Sequence, residues 1–279
     1  MKKLTYLWLI FFPLFACSSS DEEIQEATTE RIQKTLSFNG VEVESVIQLP
    51  PQKEVDVLLI FRGTLRNDNQ IIDGAYNAMG RFSAILQRED MLLISVAYPE
   101  ENLLFGDNIA HAEAALLWVK NKAEQELDVQ INRIFLAGHS QGGYLVTRLN
   151  TMHATNGVIA NAPGPLNLLF RCQLEENNQV PSEMECDLLR ETYGTTSENP
   201  DAYLERSLLH FTENHLSPLL VVQGLNDSPI QMHSWPIFKQ ALEECENCAP
   251  IQLVEIPNQG HLGMFYHPTG SEVFNAFLE

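Results

Sequence analysis

Ser140 stands at the centre of Gly138-His139-Ser140-Gln141-Gly142, a G-x-S-x-G spacing. An apolar run, residues 134–137, ends directly at Gly138, and a helical pattern follows from Gly143. A strand that turns sharply into a helix holds a serine hydroxyl clear of the backbone, provided its neighbours are small enough for the turn to close. Gly138 and Gly142 meet that demand. The chemistry this supports is nucleophilic, with attack on an acyl carbonyl and a covalent intermediate. A hydroxyl is a weak nucleophile at neutral pH. A base must therefore take its proton, and an acid must orient that base.

The elements that would position such a serine are legible around it. Alternating apolar and polar residues at 41–49 predict a half-buried strand. Near-continuous apolar runs at 55–61, 91–98, 133–137, 158–160, 219–222 and 251–256 predict strands covered on both faces. Helical periodicity falls between them, clearest at 109–122, weaker at 144–152, 203–209, 236–242 and 272–278. This alternation predicts an α/β fold with a mostly parallel sheet and helices on both faces. Ligands in such sheets bind at the carboxyl ends of the strands. Residues 165–216 are too long for a simple connection. They read as an inserted cap, with ten acidic residues against three arginines.

The stretch Gly138-His139-Ser140-Gln141-Gly142-Gly143-Tyr144 resembles the α/β-hydrolase superfamily, and is most similar to the catalytic domains of the prolyl oligopeptidase family and related esterases. The resemblance spans residues 40–279 and implies the chain order serine, acid, histidine. Asp227 then fits the acid, because it follows the strand at 219–222 in Gly224-Leu225-Asn226-Asp227, with Pro229 just after. His261, in Pro257-Asn258-Gln259-Gly260-His261, fits the base among the eight histidines, with His267 as the alternative. Asp187 and Asp201 lie in the cap and have no such placement. The resemblance also implies an oxyanion hole built from two backbone N–H groups, those of Gln141 and Thr64. The family often has His-Gly where this chain has Arg62-Gly63. Arg62 is expected either to pair with a substrate carboxylate or to be solvated or salt-bridged within the protein.

The 279 residues include 17 Lys+Arg against 37 Asp+Glu, a net charge of −20. That balance argues against nucleic acid as a partner, since phosphate binding needs clustered cations. The sequence has no phosphate loop, no H-E-x-x-H zinc helix and no dinucleotide fingerprint, and it implies no cofactor and no metal. Lys2, Lys3 and the apolar stretch to Phe15 read as a signal peptide over residues 1–16. Leu14-Phe15-Ala16-Cys17 resembles a bacterial lipobox, in which Cys17 is lipidated, and residues 17–34 read as a polar tether. The folded domain is expected over residues 35–279. Export implies an oxidising compartment, so Cys172–Cys186 and Cys245–Cys248 are the expected disulfides. Zinc ligation and free thiols are the alternatives.

These readings converge on an exported serine hydrolase that cleaves an ester through Ser140, His261 and Asp227. It is expected to be anchored by lipid to a bacterial membrane, the outer one first, facing periplasm or surface. Two alternatives stand beside it: a small serine peptidase acting on short peptides, and an inactive hydrolase fold that serves as a binding lipoprotein.

Overall fold

A computed structural model describes residues 31–279 of the chain. The expected signal peptide, Cys17 and residues 17–30 of the tether lie outside the described residues. Eight strands form one sheet: β1 (Arg31–Phe38), β2 (Val41–Gln48), β3 (Glu54–Phe61), β4 (Met91–Ala97), β5 (Gln130–His139), β6 (Gly157–Asn161), β7 (Leu219–Gly224) and β8 (Ile251–Ile256). Their spatial order is β1-β2-β4-β3-β5-β6-β7-β8. The β1–β2 and β2–β4 pairs are antiparallel, and every pair from β4 to β8 is parallel. This is the mostly parallel sheet, covered by helices on both faces, that the alternation of apolar runs and helical patterns predicts.

The described helices are α1 (Ile71–Ile85), α2 (Ile109–Asn121), α3 (Ala123–Leu127), α4 (Gln141–Met152), α5 (Leu168–Glu176), α6 (Met184–Tyr193), α7 (Pro200–Leu204), α8 (Pro229–Glu243), α9 (Gly263–Tyr266) and α10 (Pro268–Leu278). One apolar core joins the sheet to α2, α4 and α8, through residues such as Trp118, Leu145 and Phe238. A second core joins the other face to α1, α9 and α10, through Phe82, Met264 and Phe274. Strands β3, β4, β6 and β7 are buried almost throughout because both cores use them. Successive side chains point to opposite faces, so a strand covered twice must be apolar at every position.

Some elements differ from the expectation. Residues 31–34, expected in the tether, form the first half of β1, a strand with exposed and half-buried positions paired along β2. An edge strand buries little, so its polar composition resembles that of a linker. Helix α1 was not anticipated; Gly74 and Gly80 dilute a periodicity that Ala75, Met79, Phe82 and Ile85 nevertheless bury. The helix expected at 203–209 is instead α7, followed by a short 3-10 turn at Leu208–His210. The helix expected from Pro236 begins at Pro229, where Ser228 caps it by accepting the Gln231 N–H. Both prolines suit a helix start, but only Pro229 has a capping residue before it. Residues 165–216 lie between β6 and β7 and hold α5, α6 and α7.

Candidate active site

Strands β3, β5, β7 and β8 are parallel, with β6 between β5 and β7, and each of the four is followed by one part of the site. Ser140 follows β5 and precedes α4, with φ 57° and ψ −119°. A non-glycine residue at positive φ is strained and persists only where its surroundings hold it. Here the holding contacts are backbone: Ser140 N–H donates to Asn161 O at 3.0 Å, and Ser140 O accepts from Tyr144 and Gly164 at 3.0 and 3.1 Å. A Cβ on Gly138 would strike Gly142 O, and one on Gly142 would strike Phe61 O. These two glycines let the elbow close and let α4 approach the end of β3.

Asp227 lies in the turn after β7. Its carboxylate accepts from Ser228 N–H at 2.6 Å, from Gln223 Nε2 at 3.1 Å and from His261 Nδ1 at 2.8 Å. Burial opposes its ionisation, but the His261, Ser228 and Gln223 contacts outweigh that and hold the carboxyl below the usual range. The Asp227 side chain is 5% exposed, whereas that of His261 is 41% exposed, so the pair has a dry end and an open end. The acid and histidine loops are joined by Asn226 N–H to Gln259 O at 2.7 Å and Leu225 N–H to Ile256 O at 3.0 Å. His267, the alternative base, accepts from Thr269 N–H instead and caps α10.

Two glutamines complete this network and were not anticipated. Gln231 Nε2 donates to Pro163 O at 2.9 Å and to Gln223 Oε1 at 3.0 Å. Gln223 in turn donates to Asp227. The signal for Gln223 was present: a polar residue on a strand otherwise apolar, here fully buried.

The loop after β3 carries Thr64. Among the described residues, neither Thr64 N–H nor Gln141 N–H donates a hydrogen bond. Arg62 does not reach for substrate, contrary to one of its expected roles. It is 2% exposed and its guanidinium ion-pairs with Glu100 at 3.1 Å. It also donates to Gly63 O at 2.8 Å and to Tyr98 O. Its guanidinium lies 4.1 Å over the Tyr98 ring, and Tyr98 Oη donates to Arg62 O at 2.6 Å. Glu100 also accepts from Leu65 N–H. Arg62 and Glu100 therefore clamp the loop from both sides of Thr64.

Ser140, His261 and Thr64 line a cavity of about 550 Å³ beneath α5 and α6. His139 packs 4.7 Å from the His261 ring, centroid to centroid, with its Nδ1 3.1 Å from the Asn161 amide. Burial first, then the neighbouring His261 and Arg81, push its pKa down to about 3, so it stays neutral. The cysteines pair as expected, Cys172 with Cys186 and Cys245 with Cys248. The first bond ties α5 to α6 at the cavity wall.

A family model described as the prolyl oligopeptidase family, Peptidase_S9, matches residues 110–278. No curated protein matches the chain. Among solved structures, Est1E from Butyrivibrio proteoclasticus superposes with a TM-score of 0.62 at 14% identity, covering 88% of this chain and 97% of that one. A Pyrococcus horikoshii acylaminoacyl peptidase gives 0.64 at 13%, covering 89% of this chain and 41% of its own. A puromycin-hydrolyzing peptidase from Mycobacterium tuberculosis gives 0.66 at 19%, covering 89% and 39%. The chain thus spans about two fifths of the length of these two peptidases. At such identities the likeness is one of fold.

Proposed function

This chain belongs to the prolyl oligopeptidase family of serine hydrolases, and from that premise we propose that it is an exported esterase working through Ser140, His261 and Asp227. The observation that carries this reading is the 2.8 Å contact between His261 Nδ1 and the buried Asp227 carboxylate, made at the wall of the cavity that Ser140 also lines. With Nδ1–H donated to Asp227, His261 Nε2 is left as the acceptor for the Ser140 proton. Ser140 Oγ attacks the ester carbonyl, and the N–H groups of Gln141 and Thr64 receive the developing oxyanion. One such donor is worth about 3 kcal/mol of transition-state stabilisation. His261 then protonates the departing alcohol. Water, deprotonated by His261, cleaves the acyl-enzyme, and the proton returns to Ser140.

An ester is the substrate class we favour, and the superposition on Est1E over 88% of this chain supports it. The family membership itself keeps the small-peptidase reading in play. Both are decided by one comparison: hydrolysis of short-chain aryl esters and of N-acylated peptide anilides by the purified protein, beside Ser140→Ala. Ester turnover lost in Ser140→Ala supports the reading, and exclusive anilide turnover moves it to peptidase. No turnover of either moves it to a binding lipoprotein.

Export and lipid anchoring belong to the same proposal. Their support is the Lys2-Lys3 and apolar start, the lipobox-like Leu14-Phe15-Ala16-Cys17, and two disulfides that suit an oxidising compartment. Fractionation of cells expressing the protein and Cys17→Ala tests it. Release of the variant from the membrane fraction is the expected result, and a soluble wild type contradicts it.

A further inference from the structure

Ser140 and His261 line two cavities. The first, on the cap side, also meets Arg66, Arg171, Glu183 and Glu185. Its arginines are engaged: Arg66 lies 3.4 Å from Glu183, while Arg171 lies 2.9 Å from Glu175 and 3.6 Å from Glu183. The charges of this lobe balance, and the surrounding cap is strongly acidic. An anionic group gains nothing there.

The second lobe is different. It measures about 480 Å³ and runs from Ser140 and His261 toward α1 and α9. Ala78, Phe82, Leu262 and Phe265 supply its apolar wall, with Asn77 and Arg81 as its polar side chains on α1. None of its lining residues is acidic, although the chain has 37 acidic residues. Arg62 also touches this lobe, but its charge is already matched by Glu100. Among the described residues, Arg81 makes no ion pair and no hydrogen bond. His139, packed against His261 at the lobe's inner end, is neutral. An unpaired guanidinium at the mouth of a half-apolar cleft attracts a carboxylate, whose two oxygens match its planar fork. A more highly charged anion would meet the repulsion of a −20 protein.

We propose that the α1-side lobe receives the carboxylate-bearing part of the substrate, with Arg81 as the specificity-determining residue. The substrate is thus an ester that carries a single carboxylate on one side of the scissile bond. This rests on the reading of Ser140 as nucleophile.

The test compares matched probes. 4-Carboxyphenyl butyrate against phenyl butyrate places the charge on the alcohol. Monophenyl glutarate against phenyl pentanoate places it on the acyl chain. The wild type is expected to prefer the acidic member in one of the two pairs. Arg81→Gln is expected to lower that preference about tenfold, through KM, the scale of a hydrogen bond to a charged group. Arg81→Lys retains part of it, and Arg66→Gln in the other lobe leaves the preference within twofold. The pair that responds identifies which side bears the acid. No preference in the wild type, or a preference that Arg81→Gln leaves intact, overturns the proposal while ester turnover still supports the nucleophile. If no probe is cleaved, the ester reading fails, and calorimetric titration of Ser140→Ala with benzoate decides the lobe. Binding lost in Arg81→Gln sustains the carboxylate site, and no binding removes it.

Discussion

His261 Nδ1 lies 2.8 Å from Asp227 Oδ2, and the loops that carry the two residues are bonded to each other through Asn226 N–H and Gln259 O at 2.7 Å. Asp227 therefore fixes both the tautomer and the direction of the ring. Asp227→Asn keeps the shape but presents an amide, which favours the wrong tautomer. It is expected to lower kcat about 10⁴-fold with little change in KM. Steady-state kinetics on an aryl ester checks this. Retention of more than a tenth of the activity would remove Asp227 from the role.

Gln223 Nε2 donates to Asp227 Oδ2 at 3.1 Å, and Gln223 lines neither of the two cavities that Ser140 lines. Gln223→Leu removes one donor to the carboxylate, so the Asp227 pKa should rise and the acid limb of the kcat/KM profile should shift upward. A fall in stability with an unmoved profile would mark Gln223 as structural only.

Arg62 and Glu100 form an ion pair with side chains only 2% and 7% exposed. Removing one partner leaves a buried charge. Arg62→Met is expected to lower the unfolding free energy by about 3 kcal/mol or more, and Arg62→Met with Glu100→Leu to recover much of that. Urea denaturation measures both. Because the pair clamps the loop around Thr64, kcat should stay low in the double variant even where stability returns. Full recovery of kcat would separate the clamp from the oxyanion hole.

The parts legible in the sequence were those with local signatures. Ser140 sits in a five-residue pattern, and Asp227 and His261 sit at strand ends in a fixed order. Strands buried on both faces announced themselves as apolar runs. What escaped depends on partners far along the chain. Arg62 reads as a surface cation until Glu100, 38 residues away, is packed against it. The first half of strand β1, residues 31–34, reads as a tether because its half-exposed edge position asks for few apolar residues. Helix α1 carries two glycines within a half-buried pattern, which weakens its period. Arg81 has no local signature at all; only the placement of α1 beside the site brings it to the second cavity.

The Cys172–Cys186 bond closes a loop with a sequence separation of 14. On chain-entropy grounds such a loop is worth about 3 kcal/mol. Cys172→Ala with Cys186→Ala should lose that amount in denaturant unfolding. It should also raise KM, because both α5 and α6 contribute to the cap-side cavity. Unchanged KM would mean that packing alone holds the two helices.

His215 is buried, and among the described residues neither of its ring nitrogens has a hydrogen-bond partner. Burial pushes its pKa down to about 4 from an ordinary 6.5. A depressed histidine favours the fold above its unfolded pKa. That contribution is lost as pH falls from 6.5 through about 4, by up to about 1.4 kcal/mol per pH unit. His215→Phe should flatten the stability profile in that window. Chemical denaturation at pH 7, 5.5 and 4.5 reads the slope, and parallel profiles for the two proteins would contradict the assignment.

An activated Ser140 reacts with a fluorophosphonate, and peptide mapping of the treated protein in a mass spectrometer locates the adduct. One adduct per chain is expected, on Ser140, lost in Ser140→Ala and strongly slowed in His261→Ala. A folded wild type that stays unlabelled, or an adduct on another residue, would contradict it.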